Sequence, residues 1–257
     1  MPVGTATDLL ERGVDVCERN GYRVTRPESG REPDALAEPG PEATALVPAG
    51  VAAVAVEPLR AGEATPTTLV SRLWDAVDRG RGVLFVVPDA AVGTALDVLR
   101  DPPFVAAADG DGRRFYNGPD RVALAGGGYA LARPAAEYRW REARAEEARP
   151  GRDVEGSRLV LRAENGPIAT LDGVAALDSP PADVFPFSYR RGPEKRTRVR
   201  GSDGREVGAF AGVRALRDAG FEPVPMPLVP EHVFGDAEPA TAWTVLDGDG
   251  ELRTVRG

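Results

Sequence analysis

Arg196, Arg198 and Arg200 alternate with Thr197 and Val199, so on a β-strand their three guanidinium groups line one face. They sit in a 16-residue segment, 190–205, that holds seven cations (Arg190, Arg191, Lys195, Arg196, Arg198, Arg200 and Arg205) against Glu194 and Asp203. That local charge of +5 stands out in a chain whose net charge is −8. Guanidinium groups bind phosphate oxygens in pairs of parallel hydrogen bonds, and Phe187 and Tyr189 just upstream could add rings on which bases stack. The chemistry predicted for the segment is therefore binding of a nucleic-acid backbone. The competing reading is an edge strand whose arginines pair with acids elsewhere on the chain or guard the edge against aggregation.

Other chemistries are short of the residues they need. His232 is the single histidine and no serine stands in a Gly-x-Ser-x-Gly elbow, so a serine hydrolase lacks both base and elbow. Lys195, the one lysine, follows no glycine-rich loop, which removes a Walker-type site. Gly126, Gly127 and Gly128 precede a strand-like run rather than a helix, and read as a turn. Asp-Gly-Asp-Gly occurs at 109–112 and 247–250 between strand-like runs, where a hairpin accounts for it without a cation. Cys17 lies on the apolar face of a helix as an inert thiol, and one Cys with one His cannot build a zinc site. No metal and no cofactor are expected.

The elements that would carry these residues follow from hydrophobic periodicity. Residues 5–20 place Leu10, Val14 and Cys17 on one helical face, flanked by Leu9 and Val16 and stopped at Gly21. A short strand over 22–27 leads into 28–42, where five acids and three prolines predict an acidic loop. Apolar runs at 45–47 and 51–56 around Pro48, Ala49 and Gly50 predict a hairpin. Thr65 and Pro66 look like the cap and first residue of a helix in which Leu69, Val70, Leu73, Trp74 and Val77 hold the 3.6-residue period as far as Gly80. The unbroken run 83–87 predicts a strand covered on both faces. Asp89 then caps a helix facing inward with Val92, Leu96 and Leu99, and glycine-punctuated antiparallel strands follow over 104–133. Residues 134–152, charged nearly all round and with Glu137 and Arg141 at i,i+4, predict a surface helix joining two domains. Beyond it come a hairpin of 159–163 with 168–171 turned at Asn165 and Gly166, a helix over 207–219 closed by Gly220 and Phe221, and a last hairpin over 245–255.

The order helix, strand, strand, strand, helix, strand over 5–87 resembles the core of the restriction-endonuclease-like superfamily. In that family an acid near the second core strand and an Asp/Glu-x-Lys on the third hold a divalent metal and activate water. The resemblance implies Asp34 or Glu42 as the first acid and Glu57 as the second. Leu59, preceded by Pro58, occupies the lysine position, so the resemblance implies the fold without its nuclease chemistry.

The fold class expected is thus an α/β N-terminal domain over 1–133, a mixed sheet flanked by helices and endonuclease-like, then the connecting helix 134–152 and a smaller α+β domain over 153–257. The function expected is that of a non-catalytic accessory protein, associated with nucleic acid through the arginine strand. One alternative is an enzyme using carboxylates and arginines in an interdomain cleft, and the other is a structural protein that forms a homo-oligomer or binds another protein. No apolar run of membrane-spanning length and no signal leader is seen, so no membrane partner and a cytoplasmic location are expected.

With 31 of its 32 basic residues Arg and with 40 acids, the composition resembles that of haloarchaeal proteins. Crowded carboxylates repel one another, and at molar salt the screening length falls to roughly 3 Å. Thermal melts in roughly 0.1 M and 2 M potassium chloride are therefore expected to show a higher Tm in the higher salt. A Tm that stays flat or falls would assign the arginine bias to a high-GC bacterial genome instead.

Overall fold

The computed structural model describes residues 5–27, 33–100, 103–110, 112–133, 138–143, 158–164, 166–192, 195–235 and 242–254. The chain is of mixed α/β class, richer in strands than in helices, and divides into two compact units, Met1–Phe104 with Val233–Gly257, and Val105–His232. Among the described residues no helix is long and apolar enough to cross a membrane.

The first unit is built on a six-stranded sheet. Helix α1 (Ala6–Arg19) begins at a capping box in which the Thr5 hydroxyl accepts from the Asp8 amide and the Asp8 carboxylate accepts from the Thr5 amide. It buries Leu9, Val14, Val16 and Cys17, with Leu10 half-buried. At Gly13 the helix lies so close to the sheet that a Cβ would stand 2.7 Å from Val56 and 2.8 Å from Val86. Strands β1 (Tyr22–Thr25), β2 (Ala35–Pro39) and β3 (Val54–Pro58) form an antiparallel meander. Helix α2 (Pro66–Asp78), capped by Thr65 with Pro66 in its first turn, crosses over to β4 (Gly82–Val86), which runs parallel to β3. Both strands are buried throughout, as the apolar run at 83–87 requires of a doubly covered strand. Helix α3 (Asp89–Leu99) leads out of β4, and β17 (Trp243–Leu246) adds to the sheet parallel to β4, with β18 (Leu252–Arg253) antiparallel at the edge.

Three expectations for this unit are corrected. The segment 28–42 is no simple loop, because β2 runs through it. Ala35 and Ala37 are fully buried with Leu9 and Val56, their small side chains fitting where bulkier ones would not. No strand forms over 44–53, so the hairpin of 45–47 with 51–56 does not exist, and β3 pairs with β2 and β4 instead. Helix α3 turns Ala91, Ala95 and Val98 inward with Leu99, leaving Val92 and Leu96 half-buried. Asp89 does not cap it but accepts from the Gly248 amide at 2.7 Å.

The second unit holds two five-stranded sheets. One has the order β11 (Gly166–Leu171), β10 (Arg158–Ala163), β9 (Arg139–Ala143), β6 (Gly112–Phe115), β5 (Val105–Asp109). The other has the order β14 (Glu206–Phe210), β13 (Thr197–Gly201), β12 (Phe187–Arg191), β8 (Tyr129–Ala132), β15 (Glu222–Pro223). Strands β7 (Asn117–Arg121) and β16 (Pro225–Pro227) pair separately. Trp140, Phe115, Leu161 and Phe185 are buried in one cluster of this unit, and Val199, Leu216 and Phe221 in another.

The connecting helix predicted over 134–152 is replaced, where the chain is described, by β9 at the middle of a sheet. Its sequence Arg-Trp-Arg-Glu-Ala has period two. Trp140 is fully buried, Glu142 pairs with Arg113 at 2.6 Å, and Arg141 alternates with them toward the other face and reaches Asp109. Hydrogen bonding to β6 and β10 overrides the helical charge pattern, and the two units divide at 104/105 and 232/233 rather than at 134–152. Pro134, Glu137, Pro150, Asn165 and Val255 lie outside the described residues. The 159–171 hairpin forms as β10 and β11. The helix over 207–219 shortens to α4 (Val213–Asp218), because 206–210 pairs with β13 as β14. Its end is a Schellman motif, with the Phe221 amide donating to the Leu216 carbonyl, the Gly220 amide to Arg217, and Gly220 at φ +76°.

Candidate nucleic-acid interface

Strands β12 and β13 are antiparallel, with Arg190 directly opposite Arg198 and Ser188 opposite Arg200. On β13 the inward positions are Thr197 and Val199, both buried, and the outward ones are Arg198 and Arg200, with Arg196 just before the strand, all three exposed. The alternation read from the sequence thus places the arginines on one face, and the register adds Arg190 beside them. Arg196 is tethered, its guanidinium donating to the Ala209 carbonyl at 3.0 Å. Arg190, Arg191, Arg198 and Arg200 make no ion pair and no side-chain hydrogen bond among the described residues, while Arg205 pairs with its neighbour Asp203 at 3.5 Å. Glu206, across from Arg200 on β14, forms no ion pair with it. Lys195 is exposed in the β12–β13 turn at φ +60°, and Glu194 lies outside the described residues.

Arg190, Arg191, Arg198 and Arg200 line an open cavity of about 660 Å³, with Ser188 and Ser202 as further hydrogen-bonding groups and Asp183 also in its lining. Glycines complete it. The turn at Gly126–Gly128 closes with the Leu124 amide bonded to the Gly128 carbonyl, in agreement with the turn reading. At Gly128 (φ +92°) a Cβ would collide with the Tyr189 carbonyl oxygen, so only glycine lets this turn lie against β12. The cavity therefore offers guanidinium, hydroxyl and open backbone to an anion.

Phe187 and Tyr189 are not on this face. Tyr189 is buried on the other side, its hydroxyl accepting from Arg121 at 2.6 Å and its ring against Tyr129. Phe187 meets Phe221 edge-on at 5.1 Å. The expectation of a mixed basic and aromatic surface is corrected accordingly: the period of two that aligns the arginines sends the aromatic rings under the sheet, against α4 and its cap.

The endonuclease-like candidates separate. Glu57 on β3 is 4% exposed, with Oε2 3.4 Å from Arg72 Nε on α2 and no hydrogen bond to that oxygen. Burial pushes its pKa up to about 7, against the pull of Arg72 and with help from Asp34 and Asp75. Asp34, just before β2, belongs to this neighbourhood. Glu42 lies exposed past the opposite end of β2 and does not. Leu59 is buried and donates its amide to the Val86 carbonyl. Among the described residues no group of three or more His, Cys, Asp or Glu side chains is arranged to hold a metal. Arg72 and Asp75 were missed by sequence reasoning, and their only signal was a spacing of three on a helix facing the strand that carries Glu57.

The remaining candidates take structural roles. His232 Nε2 bonds to Asp178 at 2.8 Å. Burial pushes the Cys17 thiol up to about 12. At 247–250 the Asp247 carboxylate, which burial alone would raise, is held below the usual range by the amides of Glu251 and Asp249 and by Arg253, so it organises the hairpin turn.

A glutamate whose pKa is about 7 folded and about 4.5 unfolded costs nothing below pH 4.5. It destabilises the fold progressively as pH rises from about 4.5 to 7 and levels off above that at about 3 kcal/mol. Glu57→Gln is therefore expected to unfold at higher denaturant than the wild type at pH 8, with the gap closing toward pH 5. A variant less stable at both pH values would show instead that the Arg72 pair outweighs burial.

Comparison with protein families, with curated proteins and with solved structures finds no match to this chain.

Proposed function

We propose that this is a non-catalytic, nucleic-acid-associated protein whose β12–β13 face binds the phosphodiester backbone. The observation that carries the reading is the set of exposed guanidinium groups without acid partners, Arg190 opposite Arg198 with Arg200 alongside. Like charges directly across a strand pair destabilise a sheet, and no ion pair among the described residues offsets them, Asp183 being the one acid in the cavity lining, so a phosphate ligand is the natural counter-charge. With the rings of Phe187 and Tyr189 turned away, the contact is to backbone rather than to stacked bases. The α-β-β-β-α-β order over 6–86 supports an endonuclease-like first unit, and Leu59 in the lysine position supports its lack of cleavage chemistry. The arginine-rich, acid-rich composition supports a cytoplasm of high salt.

Each neutralised phosphate lowers the log-log salt slope of duplex binding by about 0.9, which gives near −3 for three arginines. Replacing Arg190, Arg198 and Arg200 by Ser is expected to flatten the slope by about that amount and to leave Tm nearly unchanged, since exposed cations contribute little to folding. A wild-type protein that binds neither DNA nor RNA at roughly 0.1 M salt, or a variant that keeps the slope, would end this reading.

A further inference from the structure

A second cavity in the Val105–His232 unit, of about 650 Å³, is lined by residues distinct from those of the arginine face. Three cations border it, Arg114 on β6, Arg139 on β9 and Arg217 in the last turn of α4, against one acid, Glu222 on β15. Arg114 and Arg217 make no ion pair and no side-chain hydrogen bond among the described residues. Tyr116, Asn117 and Pro225 supply the rest of the wall that matters here.

The walls are fixed independently of any ligand. The Asn117 side-chain amide donates to the Tyr138 carbonyl at 2.9 Å, Trp140 Nε1 donates to the Pro225 carbonyl at 2.7 Å, and the Tyr138 hydroxyl donates to the Arg133 carbonyl at 2.7 Å. Pro223, Pro225 and Pro227 hold the β15–β16 side extended. Such a preformed, polar cavity falls within the range that takes small molecules, and it is larger than one inorganic anion fills. Two guanidinium groups without partners call for an anionic group, and guanidinium matches phosphate in geometry. A carboxylate on the same wall calls for donors, because it can only accept hydrogen bonds when ionised.

We infer that this cavity binds a phosphorylated, hydroxyl-bearing small molecule of mononucleotide size, with its phosphate on Arg114 and Arg217 and a hydroxyl or amino group on Glu222. The site stands apart from the nucleic-acid reading, since it shares none of the residues of the β12–β13 face.

Calorimetric titration of the full chain at low salt with AMP, ribose 5-phosphate and inorganic phosphate tests it. AMP and ribose 5-phosphate are expected to bind saturably, and inorganic phosphate roughly tenfold or more weakly, because an ion seated on Arg114 and Arg217 carries no hydroxyl-bearing portion that extends to Glu222. The double variant Arg114→Ser with Arg217→Ser is expected to lose roughly tenfold or more in AMP affinity, and the single variant Arg217→Ser, on the exposed side of α4, to lose part of it. The variant in which Arg190, Arg198 and Arg200 are Ser should bind AMP as the wild type does. Absence of saturable binding by AMP and ribose 5-phosphate, equal affinity for inorganic phosphate, or binding unchanged in both the double and the single Arg variants would overturn the assignment. So would loss of AMP binding in the Arg190, Arg198 and Arg200 variant, which would move the ligand to the other face.

Discussion

A β-strand gives its side chains only two directions, and on β13 that restriction decides everything downstream. Val199 goes inward to meet Leu131, Leu216 and Phe221, with Thr197 buried on the same side, so Arg198 and Arg200, with Arg196 just before the strand, go outward together. Pairing with β12 then puts Arg190 directly across from Arg198. A slip of one residue would bury the arginines and expose the valine, which no arrangement of the described neighbours could offset. The concentrated positive face is thus fixed by the same register that builds the core beneath it.

What holds that register lies under the sheet. Tyr189 is pinned by Arg121 and packs against Tyr129 in a tilted ring pair, Phe187 and Phe210 both meet Phe221 edge-on, and Phe221 is placed by the Schellman end of α4. The aromatic residues upstream of the arginines therefore contribute by making β12 rigid. The ordered strands fix the spacing of the positions that carry the guanidinium groups, while the side chains of Arg190, Arg198 and Arg200, which make no ion pair or hydrogen bond among the described residues, keep their own rotamer freedom.

Local signals were legible where chemistry alone decides them. Thr65 with Pro66 announces a helix start, Gly220 with Phe221 a helix end, and the apolar run 83–87 a doubly covered strand, and each stands as read. Signals that depend on partners were not. Ala35 and Ala37 look like loop residues amid prolines and acids, and become strand through pairing with β1 and β3, which buries both side chains. Arg139 to Ala143 fits a charged helix by spacing and a strand by alternation, and hydrogen bonding to β6 and β10 chooses the strand. In the candidate site the outward arginines could be read from alternation, whereas Arg190 joined them only through pairing register. The aromatic residues were misplaced for a related reason: nearness in sequence was taken for sharing a face. Arg72 beside Glu57 needed the packing of α2 on β3, which the spacing of Arg72 and Asp75 along the helix does not by itself reveal.

The central claim is that unpartnered guanidinium groups on β12 and β13 meet phosphate directly. Arginine side-chain Nε–Hε resonances, followed by nuclear magnetic resonance while a short DNA duplex is titrated in at low salt, report each group separately. The account predicts that Arg190, Arg198 and Arg200 shift together as duplex is added and return as salt is raised. Shifts confined to other arginines, or none at all at saturating duplex, would contradict it.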